Sequence, residues 1–161
     1  MIPLTTMTAA QPTTNPWLAS LYAGLATAIF AVITALLFQA ELLVLYIIAF
    51  LLIGAGPVLG YQIATRRLGN WGPIVGGILG FILGPLAWLL WPILVGALSR
   101  EHSIGRLLLG SIIGIIVGIL LFLISVSAIG QNPYTIGTSF TLLCAGWGGA
   151  CGAAMAAWRS L

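Results

Sequence analysis

The chain has 161 residues, of which 61% are hydrophobic and only 4% are charged. Soluble domains carry about 25% charged residues, and the two acids, five arginines and one histidine of this chain cannot cover a soluble surface. The composition therefore excludes a soluble protein. The net charge of +3 is too small for the basic stripe of a nucleic-acid-binding protein, so no nucleic-acid partner is expected.

Residues 1–16 contain three prolines, five threonines and no basic residue. The charged start of a secretory signal is missing, so we expect a flexible polar N-terminal tail. A single transmembrane helical domain is expected over 17–161, with its first span acting as an uncleaved signal anchor. The composition is equally typical of bacterial inner, plasma and organellar membranes.

Apolar runs longer than the ~18 residues that indicate a membrane-spanning helix follow the tail. A tight turn is expected at 38–41, a polar loop at 99–103, and a turn at 130–137 (GQNPYTIG), where glycine, asparagine and proline cluster. We predict an all-α integral membrane protein, a multi-pass bundle of about five transmembrane helices, with spans at about 17–37, 42–63, 73–98, 107–129 and 139–158.

The second span is interrupted in its second half by Gly54, Gly56, Pro57 and Gly60. Proline removes a backbone donor and kinks a helix. In lipid the freed carbonyl must find a partner within the protein, so this break is expected to face other helices.

Small residues recur at every fourth position of the spans, which stacks them along one helix face. Helices in lipid associate through close van der Waals contact, and glycine lets a neighbouring backbone approach. A similar stripe in the first span comprises Ala19, Ala23, Thr27, Ala31 and Ala35. The predicted helix-packing glycines are Gly56, Gly60, Gly72, Gly76, Gly80, Gly84, Gly110, Gly114, Gly118, Gly148 and Gly152. We call a row of glycines at every fourth position a glycine ladder. A single small bundle needs fewer glycine-lined packing faces than this chain offers, so at least one ladder is expected to contact another protein chain.

The third span admits two interpretations. As one kinked helix its 26 residues would measure about 39 Å, which fits a tilted crossing. As a re-entrant hairpin it would turn near Gly84 and Pro85 and return to the same side. We favour the single crossing because 26 apolar residues suit one helix. Five crossings divide the arginines two against three, whereas the hairpin places all of them on one side, as the positive-inside tendency prefers: Arg66, Arg67, Arg100, Arg106 and Arg159.

A faint internal repeat is also present. The second and fifth spans share one spacing of small residues and arginine: Gly54, Gly56, Gly60, Ala64 and Arg67 match Gly146, Gly148, Gly152, Ala156 and Arg159. Duplicated halves are common in transporters. With the hairpin topology, the two repeated segments would run in the same direction.

Catalytic chemistry is poorly supported by the residues available. The chain has no aspartate, and Glu41 and Glu101 lie at span ends, so no acid–base pair is expected at depth. Cys144 and Cys151 share a helix face about 10 Å apart, too far for a disulfide within the chain. They are expected to be small buried side chains, with pairing between two copies as the alternative. No set of residues has metal-ligand spacing, so no metal and no cofactor is expected.

His102 follows Arg100 and Glu101 in a polar loop, which favours a solvated histidine over a pigment ligand. Together with Arg66, Arg67 and Arg106, these three residues are candidates for contacts with lipid headgroups or a partner subunit. Bound lipid is expected, and no residue pattern supports a pigment. Trp88 and Trp91 lie on one helix face and are expected to pack against a neighbouring helix or lipid, the alternatives being a hydrophobic constriction or a pigment contact.

Three functions compete on this basis. The favoured one is a non-catalytic integral-membrane subunit or scaffold that packs into a larger membrane assembly or self-associates. The alternative is a small oligomeric transporter or channel for a small or uncharged solute, which the breaks and the repeat favour. It lacks the intramembrane charge that usually marks an ion path. A membrane enzyme comes last, because the spans lack an acid–base pair.

Overall fold

The computed structural model describes residues 15–66, 69–83, 87–99, 102–130 and 132–158. Most of these residues are helical. The helices are α1 (Pro16–Gln39), α2 (Leu43–Ile53), α3 (Gly56–Thr65), α4 (Gly72–Ile82), α5 (Ala87–Ser99), α6 (Ile104–Ile129) and α7 (Pro133–Ala157). Nearly all of the predicted N-terminal tail, residues 1–14, lies outside the described residues.

Helices α1 and α7 begin in the same way. The Asn15 side-chain oxygen accepts the Trp17 N–H at 3.0 Å, and that of Asn132 accepts the Thr135 N–H at 2.8 Å. Asparagine satisfies a backbone donor that the helix leaves free, and the proline that follows has no donor to satisfy. The turn predicted over 130–137 is therefore wrong in its second half, because α7 begins at Pro133.

Three helices are long and apolar enough to cross a membrane: Pro16–Gln39, Ile104–Ile129 and Tyr134–Ala157. The pair α2 and α3 meets the same criteria together, with a bend of 53° between its halves. The described residues thus contain three helices with the length and composition of membrane spans, or four candidates if the bent pair counts as one, whereas the sequence predicted about five spans, the second of them broken. The all-helical fold of the described residues is compatible with a membrane bundle.

The segment predicted as the third span forms two short helices that lie side by side. A Cβ atom placed on Gly80 would lie 2.5 Å from the Cα of Trp91, and one on Gly76 would lie 3.1 Å from the carbonyl oxygen of Leu94. Gly80, later in α4, faces Trp91, early in α5, whereas the earlier Gly76 faces the later Leu94. The two helices are therefore antiparallel. The favoured single kinked helix is wrong for this segment, which has the geometry of the hairpin alternative. With 11 and 13 residues, α4 and α5 measure about 16 and 20 Å, well short of the ~30 Å hydrocarbon core.

The end of α3, the start of α4, the end of α5, the start of α6 and the end of α7 lie together. We name this the basic end, because all five arginines of the chain lie in α6 or next to these helix ends in the sequence. Three hydrogen bonds connect its elements: Gln62 Nε2 donates to the carbonyl of Asn70, His102 Nε2 bonds the carbonyl of Met155, and Arg106 donates to the carbonyl of Trp158.

The break between α2 and α3 is buried, as predicted from its glycines and proline. Every residue from 53 to 58 is buried. The indole N–H of Trp91 donates to the carbonyl oxygen of Gly54 at 2.7 Å, so a side chain of α5 supplies the partner that this carbonyl requires. The α4–α5 hairpin is therefore tied to the break between α2 and α3.

Candidate functional site

The centre of the molecule is the small-residue stripe of α1. Ala19, Ala23, Thr27 and Ala31 are fully buried. A Cβ atom on Gly56 of α3 would lie 2.7 Å from the Cα of Thr27. This distance leaves no space for a side chain at position 56, so α3 and α1 are in contact through their backbones.

Helix α7 meets the same stripe. Gly148 faces Thr27, and a Cβ atom on Gly152 would lie 2.6 Å from the carbonyl oxygen of Ala19. On α3, Gly60 faces the main chain of Ala23. Glycines of α3 and α7 therefore converge on adjacent turns of α1, and both helices run antiparallel to it.

These contacts include the residues of the proposed repeat. Gly56 and Gly60 have the spacing of Gly148 and Gly152, and the two pairs approach one stripe from two sides. Helices α3 and α7 run in the same direction, as the hairpin topology requires of the repeated segments. The Thr27 hydroxyl donates to the carbonyl of Ala23 at 2.7 Å, so this polar group is satisfied within α1.

A second glycine face joins α6 to α7. A Cβ atom would lie 2.9 Å from the carbonyl oxygen of Trp147 if placed on Gly114, and 2.6 Å from that of Leu143 if placed on Gly118. Gly110 faces the side chain of Ala154. Gly72 differs from these residues, because its neighbours lie at ordinary contact distances of 3.6 Å and more.

A tryptophan core fills the space where the hairpin meets α6 and α7. It consists of Trp88, Trp91 and Trp147, and the last two are 0% exposed. The Trp147 ring lies 4.5 Å from that of Trp88 and 5.5 Å from that of Trp91 between centroids, both in edge-to-face arrangements. The deep tryptophans thus pack within the chain.

The indole N–H groups of Trp91 and Trp147 are both hydrogen-bonded. Trp147 Nε1 donates to the Ser111 hydroxyl at 3.1 Å, and that hydroxyl donates to the carbonyl of Trp88 at 2.8 Å. Burying an indole N–H without a partner would be unfavourable, so these bonds fix how the hairpin docks on α6 and α7.

No family model, curated protein or solved structure matches the chain. Function must therefore be inferred from the geometry of the bundle itself.

The arginines that the structure describes are exposed at the basic end. Arg66 caps α3 in a left-handed conformation with a φ of 57°. Arg106 Nη1 donates to the carbonyl of Trp158 at 3.3 Å, at the negative end of the α7 dipole. Gly84, Arg67, Arg100, Glu101 and Arg159 lie outside the described residues.

His102 is not the solvated loop residue that its charged neighbours in the sequence predict. It is only 9% exposed. Its ring lies 3.0 Å from the Ser99 hydroxyl through Nδ1 and 3.0 Å from the carbonyl of Met155 through Nε2, and it packs edge-on against Tyr61. The imidazole therefore joins the end of α5 to α7 and does not reach toward headgroups.

Sequence reasoning missed a polar cluster around this histidine. Tyr61 and Gln62 are buried beside Ser99 and His102 at the basic end, around a cavity of about 20 Å³. Gln62 carries neither an ionisable group nor a hydroxyl, so its side chain is not a conspicuous candidate in the sequence. Its position four residues before two arginines made it resemble a span end.

A larger groove of about 410 Å³ lies at the opposite end, lined by residues of α1, α2, α6 and α7. Half of its ten lining residues are aromatic: Phe38, Tyr46, Phe50, Phe122 and Phe140. The groove and the polar cavity lie on either side of the tryptophan core.

Cys144 and Cys151 are buried free thiols, as predicted. The described residues contain no group of three metal-ligating side chains.

Proposed function

We propose that the protein is a non-catalytic integral-membrane subunit or scaffold that associates with other membrane proteins. The observation that carries this proposal is the filled centre of the bundle. Trp91 and Trp147 are completely buried, and both indole N–H groups are hydrogen-bonded. A closely packed interior whose buried indole N–H groups are hydrogen-bonded suits a protein with a structural role.

Close helix packing through glycine is the second part of the proposal. Glycine costs about 1 kcal/mol per residue in helix propensity, and backbone contact in lipid can offset that loss. Contacts below 3.2 Å at Gly56, Gly76, Gly80, Gly114 and Gly118 support this role. The helices that face these glycines belong to the same chain. The expectation of a glycine ladder left over to contact another chain therefore does not support a partner.

The partner contact that we propose instead is α2. Its first six residues, 43–48, are almost all exposed around the whole helix, with Val44 at 71%, and only Ala49 and Ile53 are buried. A span that lies flat on its bundle would bury one continuous face. A helix that leans away after a 53° bend leaves both flanks for a neighbouring span.

In the membrane, we propose that α1, the broken pair α2–α3, α6 and α7 cross the bilayer and that the α4–α5 hairpin enters from the basic end. Four crossings and a half-span would put every arginine at one surface, which agrees with the positive-inside tendency. Arg66 and Arg106 are then placed for contacts with lipid headgroups or a partner.

Gentle solubilisation from the native membrane tests the subunit proposal. We expect the chain to migrate with a larger assembly whose other members can be identified by mass spectrometry. The variant Val44→Asn should weaken that association, whereas Leu123→Asn on the exposed face of α6 serves as the matched control. A monodisperse monomer without a co-purifying protein would contradict the proposal.

One observation favours the alternative of a small oligomeric transporter or channel. The broken span and the hairpin meet at Gly54, Gly77 and Trp91, and interrupted helices that meet at depth are common at transport sites. The tryptophan core would then be a closed gate between the polar cavity and the aromatic groove. Solute flux into vesicles containing only this chain, increased by Trp91→Ala, would favour transport over the subunit role.

A further inference from the structure

The polar cavity at the basic end has features of a binding site that the scaffold role does not require. Its volume of about 20 Å³ exceeds the 10–15 Å³ that one water molecule needs. Tyr61, Gln62, Ser99 and His102 line it together with the apolar Val95 and Met155. The space therefore accommodates one small guest among several polar groups.

Gln62 supplies an acceptor that lacks a partner. The side chain is 3% exposed, and Nε2 donates to the main-chain carbonyl of Asn70. A carbonyl can only accept, so this bond fixes the orientation of the amide. Oε1 is fully buried and has no hydrogen-bond partner among the described residues. A buried acceptor left in this state is unfavourable unless a guest donates to it.

Ser99 adds a second acceptor. Because the carbonyl of Met155 only accepts, His102 Nε2 must carry the proton of that bond. In the neutral imidazole, Nδ1 is then an acceptor, and the Ser99 hydroxyl donates to it at 3.0 Å. The lone pairs of Ser99 Oγ remain available. Gln62 Oε1 therefore needs a hydrogen-bond donor, and Ser99 Oγ can accept a hydrogen bond in addition to the one that it donates.

The guest is neutral on electrostatic grounds. None of the described residues that line the cavity is acidic, and a buried cation without a counter-charge is strongly disfavoured. An anion would face the acceptor Gln62 Oε1. A neutral donor of the size of this cavity is water.

We propose that the cavity binds one ordered water molecule, which donates to Gln62 Oε1 and to Ser99 Oγ. The water links α3 to the end of α5, and His102 extends the link to α7. One continuous hydrogen-bond network thereby joins the ends of α3, α5 and α7 at the basic end.

A substitution that fills the cavity tests this proposal, because a bound water predicts that the melting temperature falls and an empty cavity predicts that it rises. Val95→Ile adds one methylene at a lining position. If the cavity holds a water, the variant expels it and the melting temperature falls by about 2–4 °C. The matched background is Gln62→Met, which lacks the acceptor, and there Val95→Ile should have little effect. A rise in melting temperature, or the same fall in both backgrounds, would overturn the proposal.

NMR spectroscopy of the wild-type protein in nanodiscs gives an independent measurement. We expect the Gln62 side-chain amide to show magnetisation transfer from a long-lived water, while the exposed Gln39 amide serves as the control. Transfer that is absent at Gln62, in a spectrum where the amide is resolved, would contradict the proposal regardless of how the variants fold.

Discussion

Gly60 and Gly105 differ in what lies opposite their Cα atoms. A side chain on Gly60 would meet the main chain of Tyr22 and Ala23 directly, whereas the nearest atom to one on Gly105 is the Ser103 hydroxyl oxygen at 4.0 Å. Both residues are helical, so both would gain about 1 kcal/mol in helix propensity from alanine. Only Gly60 would have to push a neighbouring helix away.

We therefore expect opposite effects from the same substitution. Gly60→Ala should destabilise the bundle by about 1–3 kcal/mol, because backbone atoms cannot move aside as a flexible side chain would. Gly105→Ala should leave stability unchanged or raise it slightly. Thermal unfolding in mild detergent compares the two variants, and equal melting temperatures would argue against backbone contact at Gly60.

His102 provides a second comparison with its sequence neighbour. His102→Ala removes hydrogen bonds to Ser99 and Met155 and should cost about 1–3 kcal/mol of stability. Ser103→Ala alters the exposed side chain of the next residue, which makes no capping hydrogen bond to α6, and should be nearly neutral. If the histidine were solvated, both variants would unfold at the wild-type temperature.

The burial of His102 could not be predicted from its neighbours. Arg100 and Glu101 precede it, and such residues normally mark a solvated loop. Its partner Met155 is 53 positions away, and no local pattern identifies a contact at that separation. Gln62 was missed for the same reason, since its burial depends on α5 and the start of α4 folding back over α3.

At the scale of helices, the bond from Trp91 to Gly54 holds the hairpin against the broken span. Trp91→Phe keeps the ring in place but removes the donor, so the Gly54 carbonyl is left buried without a partner. We expect a loss of about 1–3 kcal/mol and greater protease sensitivity near residue 54. Trp71→Phe, at an exposed tryptophan, is the control, and a similar loss in both variants would remove the special role of Trp91.

The sequence predicted the break in the second span correctly but not the form of the third. Proline and clustered glycines interrupt a helix by a local mechanism, so Gly54 and Pro57 are informative by themselves. Gly76 and Gly80 are equally consistent with a continuous helix and with a hairpin. The two forms differ in which helix packs against the face formed by Gly76 and Gly80. In the structure this helix is α5 of the same chain, so the segment is a hairpin.

For the whole molecule, the number of crossings can be measured by cysteine labelling. Single cysteines at Gly69, Ser103 and Asn132, in a background with Cys144→Ala and Cys151→Ala, report the side of the membrane. With the proposed hairpin, positions 69 and 103 are labelled from one side and position 132 from the other. Five crossings would instead pair position 69 with position 132, and that result would contradict the hairpin topology.

Composition and run length were sufficient to predict a helical membrane protein, because burial in lipid imposes those properties on every span. The arrangement of the helices was not predictable in the same way. Thr27 shows why: its spacing identifies a small-residue stripe, but nothing local indicates that α3 and α7 both dock there.

That shared stripe has a consequence for biosynthesis. The ribosome makes α1 before α7, yet the two pack against each other along much of their length. Throughout translation of the intervening hundred or so residues, one flank of α1 stays uncovered. A nascent chain halted before residue 133 would carry that bare flank into the membrane, where quality-control proteases and insertion chaperones recognise unfinished proteins.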